Sequence, residues 1–297
     1  DKALVLRRSG MGPAGDIYVC GELVIEDGCF YDLPINIGID KTHTTEVKYP
    51  GAKLTVNGGD FHNVTMTSYG LDQSDNYIDS VYVNGGTFRD YSKMAVWNCS
   101  VFHLTGGKYF VKNNWGRNIY NRAFLYGGIY LAGSPEIAAS QDTADRPMLG
   151  EGYKVKTITD SVNGGTYYII AKETTTALNW NTGKVYDNLA DAVDDADDGD
   201  EIRYFANIEN EKEVFIPKNK RIILSATGDF TANAPFLVRG CLILKSVGFT
   251  GLFRFGGPGE IITYQDPGDL NVDGASFTRL DDDKWHARCR GFSVIIR

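Results

Sequence analysis

Three closely spaced aspartates, Asp72, Asp75 and Asp79, are followed by Arg89 and Lys93. Carboxylates grouped in this way can do two kinds of chemistry. A pair can serve as acid and base, or acid and nucleophile, on a glycosidic bond, with a nearby arginine or lysine steadying developing negative charge. Alternatively, several carboxylate and carbonyl oxygens can converge on Ca2+. These five residues are the catalytic candidates; the sequence requires no cofactor, and Ca2+ is the one ion this cluster would admit. The plainer alternative is a solvated loop whose Asp and Asn side chains make turns.

A second stretch suits binding rather than catalysis: Asn113-Asn114-Trp115-Gly116-Arg117-Asn118-Ile119-Tyr120-Asn121-Arg122. Sugars are held by stacking their apolar faces on Trp or Tyr while amide and guanidinium groups satisfy the hydroxyls. Asn114, Trp115, Arg117, Tyr120 and Arg122 are therefore the ligand-binding candidates. Trp97 joins them, and Tyr69, Tyr77 and Tyr82 could extend the same face. An ordinary corner loop beside a core strand is the competing explanation.

Other titratable groups read as scaffold or surface. The run Asp194, Asp195, Asp197, Asp198, Asp200, Glu201 reads as a solvated helix face and its end. Asp266 to Asp273 resembles a calcium loop but lacks the terminal Glu of an EF-hand, and Asp281-Asp282-Asp283 reads as a loop. His43, His62, His103 and His286 have no metal-ligand spacing, although His62 and His103 could approach each other across repeats. Cys20, Cys29, Cys99, Cys241 and Cys289 are too few and too scattered for a disulfide framework or a zinc site. Buried free thiols are the simpler expectation, with Cys20 and Cys29 as a pair that could bridge. No serine sits in a nucleophile elbow, and no cysteine has an activating partner in sequence.

The scaffold that must position these residues is legible in composition and repeats. Of the 297 residues, 42% are hydrophobic and 12% aromatic, with 34 Gly, enough apolar matter for a large core broken by many tight turns. The net charge of −8 opposes nucleic acid as a partner, because phosphate binding needs a concentrated basic surface. No apolar run reaches the ~18 residues of a membrane span. An opening at Asp1 without Met fits a processed or excised segment whose signal or anchor lies elsewhere.

One pattern recurs: apolar, polar, Gly-Gly, any residue, aromatic. It is Val56-Asn57-Gly58-Gly59-Asp60-Phe61, then Val83 to Phe88, Leu104 to Tyr109, Leu125 to Tyr130 and Val162 to Tyr167, with a degenerate copy at Val272 to Phe277 and an early one at Ile25 to Phe30. The first glycines, Gly58, Gly85, Gly106, Gly127 and Gly164, are spaced by 27, 21, 21 and 37 residues. A unit of about 21 residues with insertions holds three short strands and three corners, one coil of a right-handed parallel β-helix. The fold class expected is thus all-β. Phe61, Phe88, Tyr109 and Tyr130 should stack as an aromatic ladder, and Asn57 and Asn84 as a short amide ladder.

Toward the C-terminus, apolar triplets between polar corners continue the texture: Val214 to Ile216, Ile222 to Leu224, Phe236 to Val238, Leu242 to Leu244, Glu260 to Ile262 and Val294 to Ile296. A helix is predicted over Asn188 to Ala196, where Leu189, Ala192, Val193 and Ala196 share one face and Gly199 follows as a stop.

The stretch from Val185 to Leu224, "VYDNLADAVDDADDGDEIRYFANIENEKEVFIPKNKRIIL", resembles the opening of pectate-lyase-like β-helix modules of bacterial surface proteins. The resemblance covers about 40 residues closely and the earlier Gly-Gly repeats more loosely. It implies a short helix that closes the open end of a solenoid, and hence a boundary near Thr174-Thr175-Thr176 between a segment at 1–175 and a second at 176–297. Modules of this kind occur in adhesins, in carbohydrate-active enzymes and in phage fibres. The sequence therefore leads to an extracellular or cell-surface binding module for a glycan or another surface ligand. A polysaccharide lyase or glycosidase is the alternative, although the Asn-Thr-Asp, Asp-Asp, Gly-His-Gly and Arg-Ile-Lys set of polygalacturonases is absent. A fibre module, homotrimeric rather than monomeric, is the third reading.

Overall fold

The computed structural model describes residues 5–7, 15–40, 47–49, 51–68, 78–90, 93–96, 100–110, 123–135, 147–209, 212–246, 248–273, 275–281 and 284–288. The protein is mostly β, with one α-helix among the described residues. Two compact units divide it: Asp1–Thr157, Tyr167–Glu173 and Asn181–Lys184 form the first, and Ile158–Thr166, Thr174–Trp180 and Val185–Arg297 the second.

In the first unit the chain visits three sheets in a fixed order. Glu22–Ile25 lies in one sheet, Cys29–Tyr31 in a second and Pro34–Ile37 in a third. Lys53–Val56, Asp60–His62 and Thr65–Ser68 repeat that order, as do Ile78–Val83, Thr87–Arg89 and Lys93–Val96. Each strand pairs in parallel with its counterpart one repeat away, so equivalent positions lie side by side: Phe30, Phe61 and Phe88 are register partners, and so are Ile25 and Val56.

That register turns the sequence repeat into ladders. Consecutive rings of Phe30, Phe61, Phe88, Tyr109 and Tyr130 are stacked with centroids 4.7, 4.8, 5.1 and 4.8 Å apart, all buried. At the corner, Asn84 donates its side-chain amide to Asn57 Oδ1 at 3.0 Å. The ladder runs beyond the two asparagines: Asn57 donates to Glu26 at one end, and the Thr105 hydroxyl donates to Asn84 at the other. The two glycines of each corner have different jobs. The first lies against the chain of the preceding repeat, where a Cβ on Gly85 would overlap the Asn57 carbonyl oxygen. The second takes a positive φ, 94° at Gly86, which glycine adopts at little cost.

The copy at Val162 to Tyr167 departs from this scheme. Gly164 and Gly165 form a turn leading into Thr166–Ala171, which runs antiparallel to Ile129–Tyr130, with Ile169 opposite Ile129. The side chain of Asp160 fixes the turn by accepting from the Val162 and Asn163 amides. The shared letters thus specify a tight turn, and the partner strand decides its direction. The copy near the end also splits: Val272 pairs in parallel with Phe253, whereas Phe277 opens an antiparallel hairpin.

The second unit repeats the three-sheet order. Glu201–Tyr204, Arg221–Ala226, Cys241–Leu244 and Glu260–Thr263 are parallel neighbours in one sheet; Val214–Ile216, Phe236–Val238, Leu252–Phe255 and Asn271–Asp273 are parallel neighbours in another. Ile208–Glu209 pairs in parallel with Ala232–Asn233 in the third. The sheet containing Glu201–Tyr204 is mixed, since antiparallel strands close both of its ends. Five of the six predicted triplets fall in these strands; Val294 to Ile296 lies outside the described residues.

The helix is Leu189–Asp195, with Asn188 as N-cap accepting from the Asp191 amide at 2.8 Å. Leu189, Ala192, Val193 and Ala196 are buried, and the helix packs against Val214–Ile216, the first strand of its sheet. Strand ends and edges expose unpaired backbone groups and apolar side chains, which an amphipathic helix covers.

Two expectations about side chains need correction. Asp200 and Glu201 are buried, not part of a solvated face: Asp200 accepts from Asn179 at 2.6 Å and from the Asp197 amide, and Glu201 is paired with cations. Cys20 and Cys29 do not bridge, and Cys20 is exposed rather than buried. Cys241 is also unbridged, and burial, reinforced by the nearby Glu260 carboxylate, pushes its thiol up to about 11. Cys99 and Cys289 lie outside the described residues.

Candidate functional site

Alternation along a strand means that if Phe30, Phe61, Phe88 and Tyr109 point inward, the residues after them point outward. Those residues are Tyr31, His62, Arg89 and Phe110, aligned by the register of Tyr31 with His62 and of His62 with Arg89. The corner that follows is equally regular. Asp32, Asn63 and Asp90 all adopt left-handed backbone, φ 51°, 54° and 57°, a conformation that Asn and Asp tolerate better than most residues. Asn63 donates its side-chain amide to Asp32 at 2.7 Å, and the Asp32 amide donates to the His62 carbonyl at 3.0 Å.

On this frame sits a connected polar group. Asp60 accepts from Arg89 Nε at 3.0 Å through one oxygen and meets His62 Nε2 at 3.1 Å through the other. His62 Nδ1 lies 2.8 Å from Asp90 Oδ2. Tyr31 stacks on the imidazole, centroids 4.8 Å apart, and the Arg89 guanidinium lies 4.3 Å from the centre of the Phe110 ring. All are accessible in part, Phe110 being 41% exposed. Burial lowers the histidine pKa, but the hydrogen bonds and charges of Asp90 and Asp60 outweigh it, so His62 is held above its ordinary value.

A second outward row lies on the sheet of Glu22–Ile25. Tyr82, His103 and Phe124 are register partners with ring centroids 5.3 and 6.2 Å apart, and Tyr126 stacks on His103 at 5.8 Å. Lys53 lies over Tyr82 and Lys172 over Tyr153, which meets Tyr126 edge-on. These rings stack on one another, so the row offers mostly edges and hydroxyls rather than open faces. His62 and His103 stand on different sheets.

The second unit holds a more deeply buried cluster. Arg203 donates to Asp160 at 2.8 Å and to Glu201 at 2.7 Å, and its guanidinium lies 3.5 Å from the centre of the Trp180 ring. Glu201 also accepts from Ser225 and Lys245. Burial raises the Glu201 pKa, yet Arg203 and Lys245 outweigh it and hold the carboxyl below its ordinary value. Two acids and two bases balance, so this is a scaffold network.

Comparison of the chain with models of protein families, with curated proteins and with solved structures found no match. Function must therefore be argued from the geometry.

Of the sequence candidates, Arg89 is in the first cluster. Asp79 and Lys93 are placed in strands Ile78–Val83 and Lys93–Val96, on different sheets. Asp72, Asp75, Trp97, Asn114, Trp115, Arg117, Tyr120 and Arg122 lie outside the described residues, as do Tyr69 and Tyr77. Among the described residues, no three His, Cys, Asp or Glu side chains are grouped to hold a metal ion, and no helix is long and apolar enough to cross a membrane. Asp266 caps a short 3-10 turn, accepting from the Gly268 amide. Sequence reasoning passed over Asp60, which occupies the unconstrained position of the repeat, and read His62 as scaffold or surface. Aligning the repeats on their aromatic residue, then reading the neighbouring columns, would have found both.

Proposed function

We propose that the chain is a right-handed parallel β-helix of the pectate-lyase-like kind, acting outside the cell as a binding module for a glycan. The β-helix part rests on the cyclic order of three sheets and the parallel pairing of equivalent strands in each unit. The glycan part rests on one observation, the outward group of Asp60, His62, Arg89 and Asp90 set between Tyr31 and Phe110.

Such a group suits sugar hydroxyls. Fixed carboxylates accept from them, a guanidinium donates to them, and accessible aromatic rings cover the apolar C–H patches. Among the described residues Arg89 commits its Nε, and neither terminal nitrogen, to a hydrogen bond. Binding is favoured over catalysis by the state of the histidine. Both its nitrogens face carboxylates, which makes it a cross-link rather than a proton shuttle.

The test is a panel of neutral and acidic oligosaccharides, screened for binding and for new reducing ends or unsaturated products. The proposal expects retention of at least one oligosaccharide without turnover, lost on Arg89→Ala. Turnover in the wild-type protein would favour a lyase or glycosidase instead.

A further inference from the structure

We propose that His62 is a pH-operated clasp on this outward face: protonated, it joins Asp60 to Asp90 and keeps Arg89 aligned, and deprotonated it releases one carboxylate. The consequence for ligand rests on the glycan reading; the clasp itself does not.

The geometry carries the inference. An ionised carboxylate can only accept hydrogen bonds, and a neutral imidazole has a single N–H to donate. His62 has Asp90 Oδ2 at 2.8 Å from Nδ1 and Asp60 Oδ2 at 3.1 Å from Nε2. Only the imidazolium satisfies both. In the neutral ring, one nitrogen lone pair confronts a carboxylate oxygen at hydrogen-bond distance, and that contact becomes repulsive.

The groups around the ring point the same way. From Cys29–Tyr31 comes the Tyr31 ring, with Cys29 opposite Asp60 in register and Asp32 beyond, bonded to Asn63. From its own strand comes Asp60, and from Thr87–Arg89 and its corner come Arg89 and Asp90. Two acids touch the imidazole directly, and Arg89, a cation on the neighbouring strand, is already paired with Asp60. Burial opposes protonation and is outweighed, consistent with the raised pKa.

Release has a structural path. Asp60 is shared between His62 and Arg89, and Asp90 sits at the left-handed corner next to Arg89. Freeing either one loosens the Arg89 side chain or its corner, and with it the ligand-facing surface. A histidine with a raised folded pKa contributes stability fully below its unfolded value of 6.5, and that contribution is lost as pH rises through the folded value. The clasp therefore closes on acidification.

The test uses the full chain, whose four histidines can be assigned by substitution. Imidazole nitrogen NMR should show His62 titrating above 6.5, with both nitrogens protonated below the midpoint. Exchange protection of the Asp32 and Asn63 amides, corrected for intrinsic rates, should fall through the same midpoint. Asp90→Asn should lower the midpoint, and His62→Gln, with its fold checked by circular dichroism, should remove the step in exchange. A His62 midpoint at or below 6.5, or one that Asp90→Asn leaves unmoved, would overturn the clasp. Oligosaccharide binding should be severalfold weaker on the alkaline side of the midpoint in the wild-type protein but not in His62→Gln; equal affinity on both sides would overturn the regulatory role. If the ring titrates as described but no oligosaccharide binds at either pH, the glycan reading falls and the clasp stands.

Discussion

The ring of Phe88 lies 4.8 Å from that of Phe61 and 7° from parallel to it, although 27 residues separate them in sequence. Both are fully buried. Each ring is thus a floor for one repeat and a ceiling for the next, and the ladder transmits register along the first unit.

Removing one ring should cost what a large core cavity costs, about 3–5 kcal/mol for Phe61→Ala. The double variant Phe61→Ala/Phe88→Ala should fall short of the summed losses by roughly 0.5–1.5 kcal/mol, the coupling expected of stacked aromatics. Chemical denaturation of the four proteins of the cycle measures both quantities. Strict additivity would mean that the rings pack independently.

Two glycines of the first unit should respond in opposite ways. At Gly85 a Cβ would overlap the Asn57 carbonyl, which belongs to the chain of the neighbouring repeat and cannot step aside. Gly85→Ala should destabilise by about 1–3 kcal/mol or more. Gly21 has open space around its Cβ position and no positive φ, so Gly21→Ala should be neutral or stabilise by up to ~1 kcal/mol. Thermal denaturation of both variants would check the contrast.

These ladders show how much the sequence disclosed. A repeated Gly-Gly-x-aromatic motif fixes both the corner and the inward ring, so strand positions, aromatic stack and amide ladder were readable from letter spacing. The direction of the strand after Gly164-Gly165 was not, because the same turn serves a parallel neighbour or an antiparallel one. The burial of Glu201 was equally hidden: beside Arg203 on its own strand, its partners are Ser225 on the neighbouring strand and Lys245 just past the next, and no local pattern links those two to it. Asp60 and His62 were hidden for a related reason. Their meaning depends on Arg89 and Asp90, nearly 30 residues away and adjacent only once the repeats are stacked.

The Glu201 network makes a pH prediction for the second unit. A carboxyl whose folded pKa lies below its ordinary value of 4.5 contributes stability above that value, and loses it as pH falls through the folded pKa. Glu201→Gln should therefore flatten the acid side of the stability profile, read by hydrogen exchange at Arg221–Ala226 and Cys241–Leu244. Arg203→Ala should be worse at neutral pH, by about 3–5 kcal/mol, since it takes the cation from the buried Asp160 and leaves Glu201 with Lys245. A wild-type acid limb unchanged by Glu201→Gln would place the titrating group elsewhere.

The binding reading is tested most directly by calorimetric titration of a screened oligosaccharide into the wild-type protein, Arg89→Ala and Glu213→Gln. Glu213 pairs with Arg254 on the second unit and serves as the remote surface control. Expected is saturable binding to the wild-type protein, weakened by ~1.5–3 kcal/mol in Arg89→Ala, the scale of hydrogen bonds made by a charged group, and unchanged in Glu213→Gln. Binding that survives intact in a folded Arg89→Ala protein would contradict the assignment of this face.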